Sequence, residues 1–125
     1  MSTFKVSDDI ISAWQAGVID FNRFGYWDAH KHWEHKWIEL PQPQKDDVQA
    51  HIQVCGVLVH LKKNNLTSAL KLSQSALLKL SSAHWSPQIK ILGIQNFLTD
   101  FINSTDHDFS HWLSLAEKLK AKVVL

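Results

Sequence analysis

The apolar residues between positions 26 and 40 recur every three or four residues, and this spacing is the strongest constraint on the fold. On a helix, one side of this segment carries Tyr26, Ala29, Trp33, Trp37 and Leu40. Such a stripe is what a helix needs when it faces a hydrophobic core. The segment is therefore predicted to be an amphipathic helix with an aromatic inner face.

The same spacing predicts helices along the rest of the chain. Three prolines and four glycines in 125 residues are few for a sheet protein that is full of turns. We expect one domain, residues 1–125, with an all-α fold: a compact bundle of about six antiparallel helices arranged as helical hairpins. Their expected ranges are 8–24, 26–39, 46–64, 66–84, 87–103 and 106–123.

Capping residues support several of these boundaries. Ser7 is suited to cap the first helix, and Gly25 is suited to the left-handed conformation that ends it. Ser86-Pro87 is expected to open the fifth helix, because proline is favoured at the first helical position. Thr105 with Asp108 resembles a capping box for the sixth helix.

A weak internal repeat links the first two hairpins. Residues 25–29 (Gly-Tyr-Trp-Asp-Ala) and residues 65–69 (Asn-Leu-Thr-Ser-Ala) both fall at a predicted turn, and their alanines are 40 positions apart. Helical repeat proteins place a small residue just after such a turn. The two hairpins are therefore predicted to share one plan.

Charge and composition exclude several classes of partner. The formal net charge is +1 with acids and bases interspersed, which is not typical of a protein that binds nucleic acid. No apolar run approaches the roughly 20 residues that span a bilayer, and the first nine residues lack a signal-peptide pattern. Cys55 is the one cysteine and is expected to be a buried thiol. We expect a cytoplasmic protein with no cofactor, no nucleic acid and no membrane among its partners.

His30 and Glu34 form the first candidate site. They are four residues apart on the predicted second helix, so their side chains are neighbours, and both lie at its apolar stripe. The pair is compatible with half of a metal site, with general acid–base catalysis or with a structural hydrogen bond. Zinc requires three or four protein ligands, and the motif with two histidines four apart around a glutamate is absent. We therefore predict no metal here.

The predicted third helix is apolar around most of its circumference, so Ile52, Cys55 and Val59 are expected to be buried. Its one polar strip contains Gln49, Gln53, Gly56 and His60. One interpretation makes the strip the solvent-exposed edge of the helix. The other turns Gln53 and His60 inward to meet His30 and Glu34, where they would satisfy the hydrogen bonds of a buried pair.

The opposite face of the second helix carries Asp28, His32 and His35 at spacing that a metal could use, but a solvated surface in a chain rich in histidine explains them better, and we predict no metal there. Trp27 and Trp85 fall near turns, and we expect them to be partly exposed.

The residues around the first turn resemble a known family. Residues 21–30 (Phe-Asn-Arg-Phe-Gly-Tyr-Trp-Asp-Ala-His), followed by Trp33, Glu34 and Trp37, are similar to the signature of the domain of unknown function 309 family. Residues 49–53 and 60–65 are similar to its Gln-Gly-Leu-Ile-Gln and His-Leu-x-x-Gly-Asn segments. The resemblance spans roughly residues 17–80 and implies a small all-helical fold. Carried over residue by residue, it points to His30, Glu34, Trp37, Gln53 and His60.

This sequence departs from the family pattern at three positions. Lys31 and Asp28 stand where the family usually has glutamate, and Asn64 stands where it has glycine. An activity that depends on an acid at position 31 would be lost here. The family brings no biochemical role with it.

Two functions are compatible with these residues. The first is a non-enzymatic helical module that binds a protein or a small ligand, with His30, Glu34, Trp37, Gln53 and His60 as its candidate polar cluster. The alternative is a metal-assisted or acid–base enzyme, similar to a hydrolase, that uses His30, Glu34 and His60. No catalytic residue is assigned from the sequence.

Overall fold

The computed structural model describes residues 7–42, 44–81 and 89–124, and most of them are helical. In chain order the elements are α1 (Asp8–Asn22), α2 (Tyr26–Trp37), α3 (Gln44–Lys62), α4 (Leu66–Ser81), β1 (Ile89–Leu92), α5 (Ile94–Asn103), α6 (Phe109–Ala116) and β2 (Lys120–Val123). The predicted all-α bundle of about six helices is confirmed. A small antiparallel sheet of two strands is added to it.

The α1–α2 turn and the α3–α4 turn have the same backbone geometry. At the first, the amide of Gly25 donates to the carbonyl of Asp20 at 2.8 Å; at the second, the amide of Asn65 donates to that of His60 at 2.9 Å. These bonds define the motif in which a left-handed residue closes a helix. That residue is Phe24 (φ 68°) at the first turn and Asn64 (φ 56°) at the second, again 40 positions apart.

The expected left-handed role of Gly25 is therefore wrong by one position. Gly25 has φ −85° and caps the start of α2, while Phe24 adopts the conformation that glycine favours. A bulky residue with positive φ is uncommon because its Cβ approaches the backbone. By contrast, the Ser7 cap is as expected, since its hydroxyl accepts from the amide of Ile10 at 3.4 Å.

Helix α3 lies at the centre of the bundle and packs against α2, α4, α6 and β1. Cys55 is fully buried as predicted, whereas Ile52 and Val59 are only half-buried and lie against the core from its edge. The core is continuous from Ile10 in α1 to Ala121 in β2. The last elements therefore contribute to the same hydrophobic cluster as the first four helices.

The prediction of a fifth helix over residues 87–103 is wrong in its first part. Residues 89–92 form β1, in which Ile89 and Ile91 point into the core while Lys90 and Leu92 are exposed. Alternation of buried and exposed residues defines a strand, and Gly93, with φ 81°, then separates it from α5. The expected start at Ser86-Pro87 and the last residues of the predicted fourth helix lie outside the described residues.

The prediction of a sixth helix over residues 106–123 is also too long. Helix α6 covers only Phe109–Ala116, and Asp108 is its cap rather than the third residue of a capping box, because its carboxylate accepts from the amide of Ser110 at 3.0 Å. Residues 120–123 form β2, which pairs with β1 so that Ala121 lies opposite Ile91. Over the described ranges, none of the helices combines the length and the apolar character required to cross a membrane.

Candidate functional site

Helix α2 is fixed by Trp33, which is completely buried between α1 and α2. Its indole Nε1 donates to the carbonyl of Trp14 at 3.1 Å, and its ring stacks on Phe21 at 6.0 Å between centroids. A Cβ on Gly17 would lie 2.1 Å from Trp33 Nε1, so the indole occupies the space that only a glycine leaves. This contact sets the rotation of α2 and therefore which of its side chains face outward.

The side chains of His30 and Glu34 are in direct contact, as their four-residue spacing predicts. His30 Nε2 lies 2.9 Å from Glu34 Oε2, with the side chains 24% and 54% exposed. The His30 ring also stacks on Trp27, with 5.2 Å between centroids and 19° between planes. His30 Nδ1 is buried and has no hydrogen-bond partner among the residues that the structure describes. His30 is thus held on two sides, by a carboxylate and by an indole.

Trp37 connects α2 to the start of α3. Its indole Nε1 donates to the carbonyl of Lys45 at 2.8 Å, and the Lys45 ammonium lies 4.8 Å from the centroid of the Trp37 ring. These contacts position the two helices against each other. In this structure Trp37 therefore acts through packing and hydrogen bonding within the protein.

The polar strip of α3 faces α4 at two of its positions. Gln53 Nε2 donates to Ser75 Oγ at 3.1 Å, and a Cβ on Gly56 would lie 2.9 Å from Leu72 Cδ1. Gln53 Oε1 and His60 Nδ1 are buried, and within the described ranges neither has a hydrogen-bond partner. Direct polar contacts within the predicted set join only His30 and Glu34 in the described part of the chain. That the predicted residues His30, Glu34, Trp37, Gln53 and His60 converge on a common ligand stays a prediction.

The opposite face of α2 consists of surface ion pairs. His32 Nε2 lies 3.1 Å from Asp20 Oδ2, and Lys31 Nζ lies 3.5 Å from Asp28 Oδ1. Asp28 and His32 therefore have different partners. Across residues 7–42, 44–81 and 89–124, no three His, Cys, Asp or Glu side chains are grouped so that they could hold a metal ion.

A cleft beside the α1–α2 turn is the feature that sequence reasoning missed. It encloses about 240 Å³ between the turn and the end of α3, and its lining consists of Phe24, Gly25, Tyr26, Trp27, Asp28, Val59, Lys62 and Lys63. Trp27 is 56% exposed there, in agreement with its predicted partial exposure. The available signal was the position of Trp27 one residue outside the apolar stripe of α2.

Lysine side chains hold the aromatic lining of the cleft. Lys62 Nζ donates to the carbonyl of Phe24 at 2.9 Å and lies 4.8 Å from the centroid of Tyr26. Lys120 Nζ, at the start of β2, lies 5.2 Å from the centroid of Phe24. Such cation–π contacts stabilise an aromatic ring at the surface. The left-handed backbone of Phe24 is thereby kept in place by two separate elements.

Three ionisable side chains with shifted pKa values, His51, Cys55 and Tyr26, are closed to solvent, and only Tyr26 among them lines the cleft. Burial lowers the pKa of His51 to about 4, although its hydrogen bond to the carbonyl of Asp47 opposes the shift. Burial also raises the pKa of the Cys55 thiol, which stays protonated, and raises that of Tyr26 to about 12. His51 was missed as a core residue, and its position one turn before Cys55 on the inner face of α3 was the signal.

The structure is that of a small helical protein with a surface cleft at the first interhelical turn. Comparison with family models adds that residues 14–72 match the domain of unknown function named DUF309. This segment runs from Trp14 in α1 to Leu72 in α4, and the match confirms the resemblance to this family that is seen in the sequence. Neither the curated proteins nor the solved structures contain a significant match. All five predicted site residues and the entire lining of the cleft lie within the matched segment.

Proposed function

We propose that this protein is a non-catalytic binding module whose ligand, a protein or a small molecule, occupies the cleft at the α1–α2 turn. The observation that supports it most directly is the exposure of Trp27 beside Phe24 over a preformed apolar cleft. Large aromatic side chains at a concave surface are the usual anchors of binding sites. We place this activity in the cytoplasm, without nucleic acid or a cofactor.

The backbone at Phe24 supports the proposal independently. A left-handed conformation costs a residue with a side chain roughly 1–2 kcal/mol, and glycine would avoid that cost. The equivalent turn uses asparagine, which tolerates the conformation. Strain of this kind is concentrated at functional sites. A phenyl ring at this position therefore has a use other than closing the turn, and lining the cleft is that use.

The predicted polar residues have supporting roles in this proposal. His30, fixed by Glu34, orients the indole of Trp27 through their stacked rings. Trp37 keeps α2 in register with α3. His60 and Gln53 lie on the same helix as the cleft residue Val59, and a bound ligand that reached their buried polar atoms would recover roughly 1–3 kcal/mol for each atom it satisfied.

The alternative, an acid–base enzyme, is supported by the 2.9 Å contact between His30 and Glu34. A carboxylate within hydrogen-bond distance of an imidazole is an arrangement that acid–base catalysis uses. For the metal-assisted version, a third ligand has to come from outside the described residues. Elemental analysis of protein purified without a histidine tag tests it, and stoichiometric metal would favour the enzyme over the binding module.

Protein-detected NMR with a diverse set of fragments and short peptides tests the binding proposal. Ligands should shift the amides of residues 24–28 and 59–63 and should be recovered unchanged. Trp27→Ala should abolish these shifts and keep the fold, because Trp27 is largely exposed. Leu78→Ala is the matched control, since Leu78 is 73% exposed on α4 outside the cleft. Shifts that centre elsewhere, or that survive Trp27→Ala, would refute the proposal.

Phe24→Gly separates binding from stability. The substitution removes the ring from the cleft but also relieves the left-handed strain, so the two effects on the free energy of unfolding oppose each other and the net change should stay within about 1 kcal/mol. Binding of the same fragments should be lost. If Phe24→Gly binds them as well as the native protein, the ring is not part of the site.

A further inference from the structure

The size of the cleft restricts its occupant. Small-molecule sites usually enclose about 300–1,000 Å³ and bury most of the ligand. The cleft here encloses about 240 Å³ and is walled by Phe24 and Trp27 on the turn and by Val59 on α3. That space accepts one large apolar side chain. A single inserted side chain is the way in which a protein partner anchors itself to a shallow site.

The charges around the cleft are unequal. Three charged residues line it: Asp28, Lys62 and Lys63. Asp28 is neutralised by Lys31, 3.5 Å away, and Lys62 is engaged by the carbonyl of Phe24 and the ring of Tyr26. Lys63 is exposed, and its ammonium has no ion-pair partner in the described ranges. The lining therefore has a net positive charge, from two lysines against one aspartate, and Lys63 is the lysine whose ammonium is open to pair with an acid among the described lining residues.

Lys120 extends this positive edge. It is exposed at the start of β2, and its ammonium lies 5.2 Å from the centroid of the Phe24 ring. The cleft thus has two cations from α3 in its lining and a third, from β2, in contact with the lining residue Phe24. An extended segment with an acid on each side of its apolar residue has the matching pattern of charges.

We propose that the cleft binds a protein partner through a short acidic segment, in which one large apolar side chain enters between Phe24 and Trp27 and a flanking carboxylate pairs with Lys63. This inference rests on the proposed binding function and specifies its ligand. The apolar side chain supplies the buried area. The carboxylate determines which segments are accepted, because a basic flank would meet Lys62 and Lys63.

Capped pentapeptides provide the probes. The acidic apolar peptide is Ser-Glu-Leu-Glu-Ser, and its two controls are Ser-Lys-Leu-Lys-Ser, which reverses the charges, and Ser-Glu-Ala-Glu-Ser, which removes the apolar anchor. Titration is followed by the indole N–H signal of Trp27 and the amide signals of residues 59–63. The acidic apolar peptide should bind about fivefold more tightly than Ser-Lys-Leu-Lys-Ser, which is the factor expected from one exposed ion pair, and added salt should reduce this difference. It should also bind at least about fivefold more tightly than Ser-Glu-Ala-Glu-Ser, because alanine buries less apolar area, and salt should leave that difference in place.

Two charge-reversal variants test the contact with Lys63. Lys63→Glu should weaken binding of Ser-Glu-Leu-Glu-Ser about fivefold and improve binding of Ser-Lys-Leu-Lys-Ser, because attraction and repulsion are exchanged. Lys71→Glu makes the same change in net charge on α4, outside the cleft lining, and should leave both affinities within about twofold. Equal effects of the two variants would overturn the specific pairing and leave only a general charge effect.

The outcomes separate this inference from the proposed function. If fragments bind at Trp27 but the acidic and basic peptides bind equally, the acidic partner is refuted and the binding module stands. If neither fragments nor peptides bind at the cleft, both are refuted. Self-association that Trp27→Ala abolishes would identify a second copy of the chain as the occupant and would also overturn the acidic segment.

Discussion

The helix pairs α1/α2 and α3/α4 are joined by turns of one geometry, yet their interhelical contacts differ in rigidity. Each pair has a glycine at the contact. A Cβ on Gly17 would meet three atoms of the buried Trp33 indole at 2.1–2.7 Å, whereas a Cβ on Gly56 would meet only the terminal methyl of Leu72 at 2.9 Å. The Trp33 indole cannot move without losing its hydrogen bond, whereas the Leu72 side chain can adopt another rotamer. A shared turn therefore does not imply a shared tolerance to substitution.

Gly17→Ala should have the largest effect on stability. The added methyl must displace Trp33 and weaken its hydrogen bond to the Trp14 carbonyl, and the gain in helix propensity offsets only part of this cost. We expect a net loss of about 2–4 kcal/mol in the free energy of unfolding, measured by urea titration. A loss below about 1 kcal/mol would show that Trp33 moves freely and that the two contacts are equally adaptable.

Stability as a function of pH tests the side of α3 that carries His51 and faces away from α4. The Nδ1 atom of His51 lies 2.8 Å from the carbonyl of Asp47. Because a carbonyl can only accept a hydrogen bond, Nδ1 carries the proton of the neutral, buried ring and donates it to this carbonyl. Because burial lowers the pKa of His51 from 6.5 to about 4, the unfolded chain binds a proton between these values and the folded protein does not. Stability should therefore fall as pH falls, by about 2 kcal/mol from this group between pH 7 and pH 5.

The control for this pH dependence is His51→Leu. Leucine fills a similar volume and does not titrate, so the difference in stability between the two proteins should change across this pH range. Carboxyl groups contribute equally to both and cancel. Parallel curves of free energy against pH would show that His51 is accessible to protons in the folded protein.

Two side-chain amides extend the comparison to hydrogen bonding. Asn22, at the end of α1, donates to the carbonyl of Ala121 at 3.1 Å and accepts from its amide at 2.8 Å, which ties α1 to β2. Gln53 makes one hydrogen bond, to the hydroxyl of Ser75. We expect Asn22→Ala to cost about 1–3 kcal/mol and Gln53→Ala less than about 1 kcal/mol in urea titrations. Equal costs would mean that the two hydrogen bonds of Asn22 to β2 contribute no more than the one between Gln53 and Ser75.

The helices could be predicted from the sequence, and the strands could not. Helices α1 to α4 follow from the helical spacing of their apolar residues, and the start of α1 follows from Ser7, whose capping chemistry is local. Strands β1 and β2 do not follow from apolar spacing. Ile89 and Ile91 alternate with exposed residues, but two apolar residues in four are too few to establish a period, and β1 finds its partner β2 only because the chain returns about 30 residues later.

The candidate site was predictable where it depends on one helix. The His30–Glu34 pair is a consequence of four-residue spacing, and the exposure of Trp27 follows from its place outside the stripe. The cleft was not predictable, since it forms between residues 24–28 and residues 59–63, which only the packing of α2 on α3 brings together. Nor was the direction of Gln53, which depends on how far α4 is rotated relative to α3.

Gly56→Ala should have the smallest effect and is the direct counterpart of Gly17→Ala. Alanine favours a helix over glycine by roughly 0.5–1 kcal/mol, and this gain opposes the cost of moving the Leu72 methyl by a few tenths of an ångström. Leu72 is half-buried at the edge of the core, so another rotamer has room. We expect a change within about 1 kcal/mol in either direction. A loss comparable to that of Gly17→Ala would show that Leu72 is locked, and that the α3/α4 contact is as rigid as the one between α1 and α2.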